Sequence, residues 1–152
     1  MDFFVQDALE VQAPDIAEKF VKNLCLFYCY SYCCGITYDT ALAAWNEAER
    51  QRLNGCLDID GTVLDADKLI NRLTGRFVRV NKKDITDIKD IKEATPVRFD
   101  YNKNQHWVVV QNGKIVFNSI RDSVCVRYGK PTTSRPIAWT CHEAFRYQKQ
   151  EE

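Results

Sequence analysis

The stretch "NKNQHWVVVQNGKIVFNSI", residues 102–120, constrains the fold more than any other part of the chain. Asn112-Gly113 stands between two runs of branched and aromatic residues. A two-residue connection between antiparallel strands needs positive φ at both positions, and Asn-Gly meets that need at the least steric cost. The stretch therefore reads as a β-hairpin in which Gln111 pairs with Lys114. Other short runs of the same character surround it, separated by turn residues: "RFVRV", "PVRFDY" and "SVCVRYG". Together with "HWVVVQ" and "KIVFNS" they make the second half of the chain a set of strands.

The first half reads as helices. Pro14-Asp15 opens one through "IAEKFVK". The apolar "LCLFYCYSYCC" follows and is closed by Gly35, a natural C-terminal stop. "TYDTALAAWNEAERQRLNG" is amphipathic, with Ala41, Ala44, Trp45 and Ala48 on one side. "DADKLINRLTG" has Asp65 at the N-cap position and Gly75 past its end. Helices first and antiparallel strands second give an α+β fold, in which N-terminal helices pack on a C-terminal sheet. With 152 residues and no internal repeat, linker or low-complexity segment, one domain over residues 1–152 is expected.

Charge excludes some functions. Lys plus Arg and Asp plus Glu number 21 each, so no global field points to nucleic acid or to a basic partner. "MDFFVQDALEVQ" has no basic region before an apolar core, and the longest apolar stretch, "LCLFYCYSYCCGI", is too short to span a bilayer. A cytoplasmic protein that neither enters nor crosses a membrane is the expectation. In that compartment the seven cysteines are expected as free thiols, not a disulfide framework. Cys25, Cys29 and Cys33 would share one helix face, which is poor geometry for zinc, so no metal or other cofactor is expected. Core packing explains Cys29, Cys33 and Cys34.

Cys25 differs because it follows Lys22-Asn23. If a helix starts there with Asn23 as its cap, Cys25 lies in the first turn, where free amides favour a thiolate. If one helix runs unbroken through residues 15–34, Cys25 is mid-helix and inert. The hairpin offers the other two parts of a nucleophilic site. A cysteine nucleophile needs a base, usually His, and the base needs an orienting group such as Asn. His106 opens one strand of the hairpin and Asn118 ends the other. A regular register, however, sets His106 against Ser119 and Asn118 against Trp107. That count puts His106 and Asn118 on opposite faces unless a bulge re-aims one of them.

A cysteine opening an apolar helix, followed later by "HWVVVQNGKIVFNS" in a sheet, resembles the papain-like fold. Within it the closest likeness is to the compact bacterial group related to the double-glycine leader peptidases. The likeness covers about residues 20–120. It implies a small intracellular cysteine peptidase acting on a peptide or protein substrate. Cys25 would be the nucleophile, His106 the base and Asn118 the group that orients it. The sequence departs from the pattern in two places. No Gln precedes Cys25 to serve the oxyanion, so Asn23 or the helix-start amides would take that part, and Leu24 stands where Gly is usual. These departures imply an alternative, a papain-like binding protein with weakened or lost activity.

Residues 58–62, Asp-Ile-Asp-Gly-Thr, match the DxDGT signature of haloacid dehalogenase-like phosphatases, in which the first Asp is the nucleophile and Mg²⁺ bridges to phosphate. The signature should end a buried strand, yet "ERQRLNGCL" precedes it. The simpler expectation is a turn at Asp60-Gly61 followed by the Asp65 cap. His142 lies in a polar-flanked tail with no assigned role. "RYGKPTTSRP", residues 127–136, could touch an anion, but its turn-rich composition reads as a flexible loop.

Overall fold

The computed structural model describes residues 23–139. The helix expected over residues 14–22 lies outside the described residues, as does His142. Among the described residues three helices come first: α1 (Cys25–Cys33), α2 (Ala41–Leu53) and α3 (Ala66–Thr74). Then follow β1 (Arg79–Val80), β2 (Lys83–Asp84), β3 (Thr95–Tyr101), β4 (Asn104–Gln111) and β5 (Lys114–Phe117). A short helix α4 (Val124–Tyr128) leads into β6 (Lys130–Ser134) and β7 (Ile137–Ala138). One sheet has the order β2-β6-β3-β4-β5, and β1 pairs separately with β7. Every pairing is antiparallel, so the fold is α+β. Among the described residues no helix is long and apolar enough to cross a membrane.

Local chemistry sets the element ends. The Thr40 side chain accepts a hydrogen bond from the Ala43 amide at 3.0 Å, and the Asp65 side chain accepts one from the Lys68 amide at 3.0 Å, so both helices begin at side-chain caps. Gly75 follows α3 at φ 76°, the left-handed position a glycine takes at a helix end. In the hairpin turn Asn112 and Gly113 have φ 53° and 72°, and Gln111 pairs with Lys114.

α1 is apolar on every side, and such a helix must be covered all round. One core joins it to the sheet through Val109 and Phe117 and to the other helices through Ala44, Ala48, Leu69 and Ile70. A second core on the opposite face of the sheet gathers Val97, Phe99, Val108 and Val110 around Cys125 of α4. β4 is therefore buried on both faces, which explains its unbroken Val108-Val109-Val110 run.

Two expectations are corrected. "SVCVRYG" is not a strand but contains α4, with Ser123 at the N-cap position. Its end is set by Gly129, where a Cβ would stand 2.3 Å from the Cys125 carbonyl oxygen and 2.4 Å from that of Asp100. Only a residue without a side chain lets the helix close against β3. "KPTTS" is not loop but β6, an inner strand between β2 and β3. Its proline is tolerated because Pro131 sits where the β3–β6 register shifts, between Arg98 and Phe99.

Candidate active site

A β-bulge brings His106 and Asn118 together. Gln111 pairs with Lys114 and Val110 with Ile115, as a regular hairpin requires, but Val109 pairs with Phe117. Val116 is thus an extra residue in β5, and everything after it turns to the other face. The regular count that separated Asn118 from His106 is corrected by this one residue. His106 Nε2 lies 2.6 Å from Asn118 Oδ1. His106 is only 4% exposed.

The bond fixes the proton on the ring. The Ile120 backbone N–H, which can only donate, lies 3.1 Å from the same Asn118 atom. That atom is therefore the amide oxygen, an acceptor, and Nε2 must carry the hydrogen that meets it. In the neutral ring Nδ1 is then the unprotonated nitrogen, the one able to take a proton.

Cys25 is the first residue of α1. The helix does begin here and not far upstream, but Asn23 is not its cap. Leu24 holds the cap position in a helical conformation and no side chain caps the helix. Asn23 instead donates from Nδ2 to Asp60 Oδ2 at 3.1 Å. The sulfur of Cys25 meets the backbone amides of Trp107, Leu26 and Cys25 itself. β3 pairs with β4 from Asn104 to Val110, so one edge of β4 is fully occupied. β5 pairs with β4 only as far back as Val109. The Trp107 amide must therefore meet the sulfur on the β5 side, just past the end of that strand. Asn118 is the first residue after β5. His106 and Asn118 are thus joined where β5 leaves β4, and the Cys25 sulfur approaches the neighbouring Trp107 amide; His106 and Asn118 are not among the residues that line the cavity at Cys25.

The electrostatics of the thiol oppose one another. Burial pushes the Cys25 pKa up, and the Trp107, Leu26 and Cys25 amides pull it down. The net direction is upward, so helix-start amides do not make a resting thiolate here. A second thiol lies close by. Cys125, buried in the core that includes Val108 and Phe99, is on the His106 face of the sheet, and burial raises its pKa too.

Cys25 opens on a cavity of about 510 Å³, within the ~300–1,000 Å³ range of small-ligand sites. Asn23, Tyr30, Asp67, Gln105, Trp107 and Arg135 are among its walls. Gln105 and Trp107 carried no role in the sequence reading, and Arg135 entered it only within the 127–136 stretch that could touch an anion. No sequence signal singled out the first two: they flank His106 in β4 and face the other side of the sheet from it.

The DxDGT segment is a turn and not the end of a strand. The Gly61 amide donates to the Asp58 carbonyl, the Asp58 amide donates to the Thr62 carbonyl, and Leu57 bridges Val63. The turn braces the start of α1. Asp60 holds Asn23, while Gly61, at φ 91°, lies so close that a Cβ would stand 3.1 Å from Leu24. Among the described residues no group of three His, Cys, Asp or Glu side chains is placed to hold a metal ion. The chain matches no protein-family model, no curated protein and no solved structure.

Proposed function

We propose that the protein is a papain-like cysteine peptidase, or a close mechanistic relative, that cleaves a peptide or protein substrate in the cavity beside Cys25. The observation that carries this reading is the His106 Nε2–Asn118 Oδ1 bond at 2.6 Å, made across a bulge one residue along β4 from Trp107, whose amide favours the Cys25 thiolate. A buried histidine whose Nε2–H is held by an amide oxygen presents Nδ1 as its basic nitrogen for acid–base work.

The thiol is protonated at rest, so the first step is general-base catalysis and not attack by a standing thiolate. Cys25 Sγ attacks the substrate carbonyl carbon as its proton passes to His106 Nδ1. The carbonyl oxygen takes the negative charge, and the helix-start amides of Cys25 and Leu26 are its donors. The C–N bond then breaks, His106 returns the proton to the departing amine, and a thioester to Cys25 remains. Water, deprotonated by His106, attacks the thioester; the C–S bond breaks, the acid is freed, and His106 returns the proton to the Cys25 sulfur. Asn118 keeps the ring in the tautomer both halves require.

The test is hydrolysis of a pool of N-acetylated peptides, read by mass spectrometry. Turnover that disappears in Cys25→Ala and in His106→Ala, and persists in Cys125→Ala, supports the proposal. Turnover that survives Cys25→Ala overturns it. The second reading, a binding protein on the same fold, is favoured by the burial of Cys25 and by the Asn23 amide being held by Asp60. Saturable peptide binding with no cleavage at any pH would favour it over the enzyme.

A further inference from the structure

The cavity beside Cys25 holds an arginine whose surroundings call for an anion. Arg135 follows β6 and lays its guanidinium over the Trp107 indole, 4.8 Å from the ring centroid. Its Nη1 is used, donating to Thr133 Oγ1 at 2.9 Å and to the Ser134 carbonyl at 3.0 Å. These bonds and the stacking fix the plane of the group. Among the described residues no carboxylate lies within ion-pair distance of it. The neighbouring arginine is different: Arg98 binds both oxygens of Asp100, at 2.9 and 3.2 Å.

Half-buried guanidinium groups are usually paired, because removing the charge from water without a partner is costly. Partial burial does lower the Arg135 pKa, with Arg98 adding in the same direction and Tyr30 and Asp84 opposing. The acids on the cavity wall are engaged elsewhere. Asp65 accepts from the Lys68 amide and Asp67 from the Val80 amide. Tyr30, buried within the cavity wall, interacts electrostatically with Arg135. Trp107 links this group to the reaction site, since its amide meets the Cys25 sulfur while its indole carries Arg135.

We infer that Arg135 is a specificity-determining residue that binds a carboxylate of the substrate, with its free guanidinium edge directed into the cavity beside Cys25. Arginine offers a planar fork that matches a carboxylate, and stacking on an aromatic ring holds that fork ready. The carboxylate can come from an acidic side chain or from the C-terminus of a peptide. The inference rests on the cleavage reading for its meaning, but binding tests it without any cleavage.

The experiment uses the full chain carrying Cys25→Ala and three acetylated probes: Ac-Ala-Glu-Ala-Ala-amide, its Gln counterpart, and Ac-Ala-Ala-Ala-Ala with a free C-terminal carboxylate. Affinity is read from ¹H–¹⁵N spectra that follow the Arg135 Nε–H and Trp107 indole signals. At least one anionic probe is expected to bind about 10- to 100-fold more tightly than the neutral one, the range for a hydrogen bond to a charged group. The Glu probe and the free-carboxylate probe distinguish the two sources. Arg135→Gln should abolish the preference, and Arg135→Lys, which keeps the charge but not the fork, should retain part of it. Equal affinity for all three probes overturns the inference, as does a preference that persists in a folded Arg135→Gln protein. Loss of peptide cleavage in Cys25→Ala bears on the mechanism alone and leaves this result untouched.

Discussion

Replacing Asn118 with Ala removes one oxygen that serves two donors. The His106 Nε2–H, 2.6 Å away in a residue 4% exposed, is left without an acceptor, and so is the Ile120 amide at 3.1 Å. An ordinary hydrogen bond contributes about 0.5–1.5 kcal/mol net, and stranding a buried donor costs about 1–3 kcal/mol. Taking the stranded histidine and one ordinary bond together, Asn118→Ala should lower unfolding stability by about 2–4 kcal/mol. That is a large share of a typical domain's ~5–15 kcal/mol. The specific signature lies in the ring. In the native protein the imidazole ¹⁵N shifts should show hydrogen on Nε2 at neutral pH, with one tautomer dominant. In Asn118→Ala the two tautomers should mix, because nothing holds the hydrogen on Nε2. Asn118→Asp keeps an oxygen in place, so it should preserve the Nε2–H form and raise the His106 pKa through the added negative charge. The assays are chemical denaturation and ¹⁵N spectroscopy of labelled histidine. A native ring with its hydrogen on Nδ1 would refute the reasoning. So would an Asn118→Ala protein with unchanged tautomer and stability within about 0.5 kcal/mol, the scatter of neutral surface changes.

Gly61→Ala should destabilise by about 1–3 kcal/mol, because Gly61 sits at φ 91° and the added Cβ would press on Leu24. It should also change the alkylation rate of Cys25, whereas Thr40→Ala, which removes the α2 cap, should cost a similar ~0.5–2 kcal/mol and leave that rate alone. Equal alkylation rates in the two variants would separate the 58–62 turn from the site. Alkaline pH should unfold the protein early. Burial raises the thiol pKa of Cys29 well above the ordinary value and that of Cys34 to about 12. The unfolded thiols ionise first, so this stability is fully present below an unfolded pKa of about 8.5 and is lost as pH rises toward the folded values. Each such group contributes a slope of up to about 1.4 kcal/mol per pH unit. Denaturation midpoints that stay flat between pH 8 and 11 would contradict it.

Much of the fold was legible because it is written in local chemistry. Asp65 and Gly75 bound α3, Asn112-Gly113 makes the hairpin turn, and Gly35 follows α1 at φ 71°. What the sequence hid is set by tertiary contact. Ser123 to Gly129 carries branched and aromatic residues at strand-like density, yet Gly129 closes a helix against β3. Lys130 to Ser134 looks like loop because of Pro131, and only a register shift in the neighbouring strand admits it. The site shows the same division. Cys25, His106 and Asn118 stood out as candidates by type and order, but the bulge at Val116 that unites the last two has no glycine or other marker in "KIVFNS". Nor could the sequence reveal that Asn23 is held by Asp60, or that Arg135 stands over Trp107, since those pairs lie 37 and 28 residues apart.

The most direct test of the central claim is to trap the acyl-enzyme. The protein would be mixed with a peptidyl p-nitrophenyl ester, quenched in acid, and mapped by mass spectrometry. The account predicts one acyl group on Cys25, lost when His106 is replaced by Ala and unaffected by Cys125→Ala. An adduct on Cys125, or an adduct on Cys25 that forms as fast without His106, would contradict it.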